Sequence, residues 1–396
     1  MLKRLRIWQK FTLIAIAFCI PIVVLAYFLL IETQKVIDFS RAEVDGLSYL
    51  APLRKLVVDV SVHRDLAMAA LWDASFKEQL DKVDAAIEVD FKGAQAEDAK
   101  YAEAFGKTDL LKELRQLWQS LRANMATMNA AQSLDQHGKL LRAAMRLTYE
   151  IGNASNLILD PDVDSYYLVD ALIFKIPKLH EEISQARAIG AALYASGGQG
   201  EDNSTRRQQL LALFIRIDDA LNQHLEFIRF AVNFNARTKA ALEATLEENK
   251  REVRGFVAYL EKKLTGGETV PARDFIATAT KPLDVQQALW DKVADELYRL
   301  LQVRVTTYNR NRLIELAAVA VALALTMLLL SVVVRAITRP VAHLAAVADR
   351  ISLGDMDATI DVDSKDEIGE LGERFRRMQV SLKAAMDALE KQGELD

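Results

Sequence analysis

Two apolar runs without a charged residue limit how this chain can fold. One covers Phe11–Ile31 and the other covers Leu316–Val334. They hold about 21 and about 19 residues, against the roughly 20 that a membrane-spanning helix needs. The first run is longer than the apolar core of a signal peptide, and no small-x-small cleavage pattern follows it. We therefore expect two transmembrane helices, the first of them uncleaved.

Basic residues before the first run predict the orientation of the chain. Positive charge favours the cytoplasmic side of a membrane, and four basic residues precede the run: Lys3, Arg4, Arg6 and Lys10. We expect a bacterial inner-membrane, multi-pass protein with both termini in the cytoplasm. The predicted segments are residues 1–10 (cytoplasmic), 11–31 (span), 32–315 (periplasmic), 316–334 (span), 335–390 (cytoplasmic) and 391–396 (a short tail).

The outer segment, residues 32–315, is predicted to be an all-α helical bundle. Only 16 glycines and 7 prolines occur in 396 residues, which favours long helices. Apolar residues recur at three- and four-residue steps, as on one face of a helix. The clearest stripe is Leu210, Leu213, Phe214, Ile217, Leu221, Leu225 and Ile228. Turns are predicted at Ser196–Thr205, Thr265–Pro271 and Lys281-Pro282. Two stacked bundles, or one bundle of very long helices, suit this length.

Charge and cysteine content exclude several classes of protein. The net charge of -5 argues against a nucleic-acid binder. The single cysteine, Cys19, lies inside an apolar run, so a disulfide framework and a thiolate metal site are both excluded. The histidines do not have the spacing of metal ligands. We expect neither a metal nor a cofactor.

The densest local signal is Asn156–Asp170, which reads NLILDPDVDSYYLVD. Asp160, Asp162 and Asp164 alternate like the start of a calcium loop. Ser165 stands where that loop needs glycine, which argues against calcium, as does the alanine at the twelfth position.

Two interpretations of this segment stay open. In the first, Asp160 caps a helix that begins with Pro161, and the acidic residues face the helix dipole. In the second, Asp164, Tyr166 and Tyr167 line a ligand pocket near the start of the helix.

Two arginines are the other candidate ligand-binding residues. Arg64 lies on a predicted helix whose apolar residues place it at the edge of the bundle interior, and Arg187 lies in the stretch HEEISQARAIGAA. An arginine buried between helices needs either an acidic partner or an anionic ligand. Both alternatives apply to each residue.

These stretches resemble the outer region of bacterial transmembrane receptors of the nitrate- and nitrite-sensing type. The resemblance rests on VHRDLAMAALWD and on SNLILDPDVDSYYLVDALIFKIPKLHEEISQARAIGAALYA. In that family, arginines on bundle helices hold the small anion, and Arg64 and Arg187 are the nearest matches here. The usual Arg-Gly pair of the family is Arg64-Asp65 in this chain. The resemblance implies that the ligand is a small molecule, such as a small anion.

The segment after the second run contains two heptad helices around a short connector. The first seam is Ile337, Val341, Leu344, Ala348 and Ile351, and the second is Ile368, Leu371, Phe375, Met378, Leu382, Ala385 and Leu389. The connector covers Gly354–Lys365, with Met356 and Ile360 as its apolar residues. Two short amphipathic helices cannot bury both seams alone. We therefore expect a homodimer that forms a parallel four-helix coiled coil.

This segment resembles a HAMP domain, the relay of histidine kinases, adenylyl cyclases and chemoreceptors. The matching residues are Pro340, Gly354-Asp355-Met356 and Asp366-Glu367-Ile368-Gly369. Pro340 suits the first turn of a helix, and Gly354 suits the positive φ that ends one. Met356 and Ile360 are expected to pin the connector, and Glu367 is expected to cap the second helix. A plain coiled-coil stalk explains the heptads alone.

Three functions are compatible with the sequence. The first is a dimeric membrane receptor whose outer bundle binds a small molecule and whose relay signals to a cytoplasmic protein or to an output domain that the sequence lacks. The second is the sensor half of a membrane-bound kinase or nucleotide cyclase. The third is an adaptor that dimerises with a full-length receptor. Few residues follow Leu389, and they contain neither a phosphate-binding loop nor a phospho-accepting histidine. The sequence is therefore expected not to be an enzyme.

Overall fold

The computed structural model describes residues 5–196, 201–266 and 269–393, and every regular element in those ranges is a helix. The all-α prediction is therefore confirmed. The chain forms two compact units. The larger unit comprises residues 35–308. The second unit combines residues before 35 with residues after 308.

Ten α-helices follow one another along the described residues. Their bounds are α1 Ile7–Ala70, α2 Lys77–Phe105, α3 Thr108–Asn124, α4 Ala130–Ala154, α5 Val163–Asp170, α6 Ile176–Ala195, α7 Glu201–Phe234, α8 Ala236–Gly266, α9 Ala272–Ser352 and α10 Glu367–Gly393. Short 3-10 turns occupy Ala74–Phe76, Met125–Thr127 and Leu157–Leu159.

The larger unit contains two four-helix bundles. Helix α1 contacts α2, α3 and α4 in the first bundle, and α6–α9 form the second bundle, with one continuous hydrophobic core through both. The predicted stripe on α7 faces this core, and six of its seven residues are buried. Gly190 allows α6 and α9 to approach closely, because a Cβ there would lie 2.1 Å from Phe275. The two bundles therefore share one interior.

A π-helical segment, Ala171–Lys175, joins α5 to α6. Such a segment has one extra residue per turn and displaces backbone carbonyls from their usual partners. Two buried side chains of α9 use carbonyls at this segment. Trp290 Nε1 donates to Leu172 O at 3.0 Å, and Gln286 Nε2 donates to Ile176 O at 3.3 Å. The π segment is therefore fixed against the second bundle.

Two turn predictions need correction. Helix α9 continues without interruption through Lys281-Pro282, so the turn predicted there is wrong. Burial of the helix on both sides of Pro282 outweighs the one backbone hydrogen bond that proline removes. The turn at Ser196–Thr205 is shorter than predicted, because α7 begins at Glu201. Residues 197–200 of that prediction, and residues 267–268 of the turn at Thr265–Pro271, lie outside the described residues.

The predicted cap at the acidic segment is also wrong. Helix α5 begins at Val163 with Asp162 at the N-cap position, and Asp160 ends the preceding 3-10 turn. The carboxylate of Asp160 accepts from the Asp162 backbone N–H at 2.9 Å, which is a local turn that competes with helix formation. Asp160 therefore shapes the entry to α5 from three residues before its first helical position.

The second unit contains the apolar stretches and the heptad segment. Helices α1 and α9 each include a stretch long and apolar enough to cross a membrane. After α9, a connector from Leu353 to Asp366 leads into α10. The end of α9, the connector and the start of α10 share a small hydrophobic core. It consists of Leu344, Val347, Ile351, Ala358, Ile360 and Val362, with Met356, Ile368 and Phe375 packed against it.

The connector is held at both of its ends. Gly354 adopts φ +94° after α9, as predicted, and Asp355 forms an ion pair with Arg350. At α10, Asp366 and not Glu367 is the cap, because its Oδ1 accepts from the Ile368 and Gly369 backbone N–H groups at 3.0 and 3.2 Å. The predicted cap at Glu367 is wrong by one residue, since Glu367 is already the first helical position.

Side chains of α10 fasten the connector by its backbone. Arg376 donates to the carbonyls of Ile360 and Val362, and Gln379 donates to those of Met356 and Ala358. Part of the predicted seam on α10 stays uncovered in one chain, because Leu371, Met378 and Leu382 are 41–45% exposed. Pro340 is half-buried within α9 and begins no new helix.

Candidate ligand site

Arg64 is buried where α1 meets α6. Its side chain is 1% exposed, and its two terminal nitrogens face the carboxylate of Glu181. Nη1 donates to Oε1 at 2.7 Å, and Nη2 donates to Oε2 at 3.0 Å. Nη2 also donates to the hydroxyl of Ser184 at 2.8 Å. The planar fork of Arg64 is thus filled by an internal two-oxygen acceptor.

Arg187 lies on α6, about one turn after Ser184, and pairs with Asp65, the residue that follows Arg64 in the chain. Its Nε and Nη2 both lie 2.6 Å from Oδ2 of Asp65, and its Nη1 donates to the Thr280 hydroxyl of α9 at 3.0 Å. Ser184 donates to the same carboxylate oxygen at 3.1 Å. Oδ1 of Asp65 also lies 3.6 Å from Nε of Arg64, so Asp65 pairs with both arginines and does not point away from them.

The four charged groups in contact balance one another. Burial raises the pKa of Asp65 in spite of Arg187 and Arg64. Burial is the largest single influence on Glu181 and acts to raise its pKa, but the charge and hydrogen bonds of Arg64, together with the hydrogen bond from Gln185, outweigh it, so the pKa falls below its usual value. Two arginines and two carboxylates therefore form a cluster without net charge. We refer to Arg64, Asp65, Glu181 and Arg187 as the arginine cluster.

His180 lies beside this cluster and is fully buried. Among the described residues, neither of its ring nitrogens has a hydrogen-bond partner. Burial, helped by the nearby Arg187 and Arg64, lowers the pKa of His180 to about 4, so the ring is neutral at pH 7. A neutral imidazole retains one N–H that can donate to a ligand.

A pair of buried histidines, His63 and His137, also lies near Arg64. Nδ1 of His63 lies 2.7 Å from Nε2 of His137, and Nε2 of His63 lies 2.9 Å from Oδ1 of Asp84. His63 also meets the ring of Trp118 edge-on at 5.0 Å between centroids. These contacts join all four helices of the first bundle next to the arginine cluster.

The other predicted ligand residues lie elsewhere. Asp164 accepts from Asn235 at 2.8 Å, and Tyr167 stacks on Phe230 with ring centroids 4.9 Å apart. Tyr166 is 43% exposed and packs edge-on against Tyr167. The structure therefore brings Arg64 and Arg187 together but leaves Asp164, Tyr166 and Tyr167 around the α7–α8 turn.

A third arginine, which the sequence did not single out as a site residue, forms its own cluster. Nη1 of Arg304 donates to Glu43 at 2.8 Å, and Nη2 donates to Asp160 at 2.7 Å. Nε lies 2.7 Å from Asp162. Ser165 bridges Asp160 and Arg304. We call Glu43, Asp160, Asp162 and Arg304 the acidic cluster, because one cation faces three carboxylates.

The excess of carboxylates changes the proton affinity of Glu43. Burial and the neighbouring Asp160 raise the pKa of Glu43 to about 8, although Arg304 opposes the rise. Glu43 Oε1 and Asp160 Oδ2 are both buried without a hydrogen-bond partner among the described residues. A shared proton would satisfy two such oxygens. The alternation of Asp160 and Asp162 was a sequence signal for this cluster, but their partner Arg304 lies more than a hundred residues away.

The comparisons with known proteins agree with this architecture. The sequence profile of the nitrate and nitrite sensing family matches residues 55–298, which is more than half of the chain and includes the whole arginine cluster. The chain belongs to the nitrate and nitrite sensing family. The HAMP domain profile matches residues 332–384, which confirms the resemblance of the heptad segment.

Curated relatives cover a smaller part of the chain. The chemotaxis protein McpA of Bacillus subtilis, described as methyl-accepting, is 39% identical over 75 residues, 19% of this chain and 11% of that protein. TlpB of the same organism, also a methyl-accepting chemotaxis protein, is 38% identical over 63 residues, 16% of this chain and 10% of that protein. The matched stretches span about a tenth of the length of these relatives.

A solved structure shares the fold. The structure of the NasR transcription antiterminator aligns with a TM-score of 0.54 at 14% identity, covering 93% of this chain and 99% of that chain. At that identity the likeness concerns the helical fold alone. The nitrate and nitrite sensing domain and the HAMP domain together make this protein a signal-transducing sensor, and two of its described helices are long and apolar enough to cross a membrane.

Proposed function

We propose that this protein is a homodimeric inner-membrane receptor for a small planar anion, and that the anion binds at the arginine cluster. Residues 32–315 would face the periplasm, and residues 335–390 would relay the signal in the cytoplasm. The observation that carries the proposal is the fork of Arg64, which already holds a planar two-oxygen acceptor. Nitrate and nitrite present the same kind of edge.

The surroundings of Arg64 support anion binding. Arg187 brings a second positive charge to the same carboxylate, and Ser184, Thr280 and His180 supply neutral polar groups at or next to the two arginines. In a buried site, such donors act at low effective dielectric and are stronger than in water. A small anion could therefore gain several charge-assisted hydrogen bonds at once.

The output is proposed to pass to a separate cytoplasmic signalling protein. The identity to chemotaxis receptors over a short stretch supports a chemotaxis-type partner. The exposed apolar residues Leu371, Met378 and Leu382 of α10 are suited to a second copy of the chain, which supports the homodimer. Because sensing and relay domains bind and transmit, we infer that the chain itself does not catalyse a reaction.

Nitrate binding to the detergent-solubilised full chain tests the proposal. Arg64→Lys keeps the positive charge but loses the planar fork. We expect the affinity for nitrate, measured by calorimetry, to fall by about tenfold or more, since one charge-assisted bidentate contact is lost.

Arg216→Ala is the matched control. Arg216 is half-exposed and pairs with Glu182 on the outside of the same bundle. Its loss should leave nitrate affinity unchanged. Unchanged nitrate binding by Arg64→Lys would place the anion elsewhere, and the absence of nitrate and nitrite binding to the unaltered protein would refute the proposed ligand.

A further inference from the structure

The two carboxylates of the arginine cluster are held very differently. Asp65 is 6% exposed and is contacted by Arg187, Ser184 and Arg64. Glu181 is contacted by Arg64 and by Gln185 of the next helical turn, and its side chain is 16% exposed. Asp65 is therefore locked between the arginines, whereas Glu181 lies at the rim of the cluster with one edge toward solvent.

Glu181 also resembles the proposed ligand in shape and charge. Its carboxylate is planar, carries one negative charge and uses both oxygens on the two terminal nitrogens of Arg64. Arginine recognises planar oxyanions through this same fork. Two such acceptors cannot occupy one fork, so an anion in that position requires Glu181 to leave.

We propose that Glu181 is a built-in competitor of the anion and that ligand binding exchanges the Glu181 carboxylate on Arg64 for the incoming anion. The proposal rests on the proposed anion site. In the exchange, Glu181 turns from the rim into solvent together with Gln185. Asp65 stays and keeps Arg187 and α1 in place.

The charge balance after the exchange defines the ligand class. Without Glu181, the groups in contact carry two positive charges and one negative charge, so the site has room for one negative charge. A monovalent planar oxyanion restores neutrality, while a divalent anion leaves an uncompensated buried charge, which is costly. Asp284 also interacts electrostatically with Arg187, but it is exposed and solvent screens its charge, so it is not counted in this balance. The cluster therefore favours nitrate or nitrite over sulfate.

His180 supplies a second, independent reason for a ligand at this position. It is buried beside Arg64 and Arg187, and both of its nitrogens lack a partner among the described residues. A buried polar group without a partner is costly. An anion on Arg64 would offer the imidazole N–H an acceptor that Glu181 does not provide.

The exchange also gives the ligand a mechanical effect. The pair between Arg64 and Glu181 joins α1 to α6 directly. A free anion on Arg64 preserves the charge of the site but removes that link between the helices. Differential contact of this kind is what a ligand needs in order to shift a conformational equilibrium.

The test measures nitrate affinity of the full chain with three variants at neighbouring positions. Glu181→Gln removes the competing charge, and Glu181→Asp keeps the charge but shortens the side chain so that it no longer spans the fork. We expect both to bind nitrate more tightly than the unaltered protein, by about tenfold or more for Glu181→Gln. The reason is that nitrate no longer has to displace the Glu181 carboxylate from Arg64 before it binds. Glu182→Gln is the matched control and should change affinity little.

The outcomes separate the exchange from the anion site itself. If nitrate binds and Arg64→Lys weakens it, but both Glu181 variants bind with unchanged or lower affinity, the exchange is wrong while the site stands. Tighter binding by Glu181→Gln together with unchanged binding by Glu181→Asp would indicate a long-range effect of charge, and would also overturn the exchange. Sulfate binding as tight as nitrate binding would contradict the charge balance. If Glu181→Gln does not fold, Glu181→Asp alone decides.

Discussion

The arginine cluster and the acidic cluster are built from the same residue types but differ in their ratio of charges. The arginine cluster has two arginines and two carboxylates, and the acidic cluster has one arginine and three carboxylates. Both involve α1, at Asp65 and at Glu43, about 33 Å apart along the helix axis. The balanced cluster suits exchange of one anion for another, whereas the cluster with excess negative charge suits uptake of a proton.

The comparison teaches that burial alone does not define a binding site. Glu43 and Asp65 are both buried carboxylates beside arginine, and burial raises the pKa of each. The rise is opposed by two arginines at Asp65 and by a single arginine at Glu43, where Asp160 adds to it. The number of compensating charges therefore decides which small ion each cluster can accept.

The largest expected effect comes from removal of the single cation of the acidic cluster. Arg304→Met leaves Asp160 and Asp162 without their counter-charge, which should lower the free energy of unfolding by about 3–5 kcal/mol. The measurement is urea unfolding of the solubilised chain, followed by the fluorescence of the buried Trp118 and Trp290.

Arg187→Met provides the contrast. Asp65 then still keeps Arg64 and Ser184, so the loss should be clearly smaller than for Arg304→Met. A larger loss for Arg187→Met would mean that the two clusters are not distinguished by their charge ratio.

A medium effect is expected in the pH dependence of stability. Because the folded-state pKa of Glu43 is raised to about 8, the folded chain keeps a proton that the unfolded chain has released above the ordinary glutamate pKa. Stability from this group is therefore lost as pH rises through about 8. Between pH 6.5 and 8, the free energy of unfolding should fall less for Glu43→Gln than for the unaltered protein, by at most about 2 kcal/mol.

The remaining slope in that range has an assigned source. Burial and the neighbouring Asp59 raise the pKa of Asp90 to about 7, so part of the loss should persist in Glu43→Gln. Asp109→Asn, at a fully exposed carboxylate, should follow the unaltered protein. An unchanged slope in Glu43→Gln would show that Glu43 is ionised in the folded state at neutral pH.

The smallest expected effect concerns the neutral partner of Arg187. Thr280→Val removes the hydroxyl that accepts from Arg187 Nη1 at 3.0 Å and keeps the shape of the side chain. One hydrogen bond of this kind contributes about 1 kcal/mol. The midpoint of urea unfolding should fall slightly. A loss as large as that of Arg304→Met would mean that Thr280 holds more of the cluster than this one contact.

The helices could be predicted from the sequence because their signals are local. The stripe on α7 from Leu210 to Ile228 repeats within each turn, and it faces the core as predicted. The failures occurred where a local rule competed with packing. Pro282 lies inside α9, since the burial of the surrounding helix outweighs one lost hydrogen bond.

The candidate site could be predicted only in part. Arg64 and Arg187 were identified because an arginine between apolar positions requires a partner, but the sequence left that partner open. The partners are Glu181, more than a hundred residues from Arg64, and Asp65, which carries both arginines. No local pattern links residues so far apart. The pairing of Arg304 with Glu43 was missed for the same reason.

The π segment at Ala171–Lys175 determines how far the residues of α6 are rotated about the helix axis. One additional residue turns the following helix by about 100° relative to an uninterrupted α-helix. His180, Glu181, Ser184 and Arg187 all follow this insertion. Deletion of one residue within it would restore a regular helix and rotate that whole set away from Arg64. The pairing geometry of the cluster thus depends on one inserted residue, which lies more than one helical turn before Glu181.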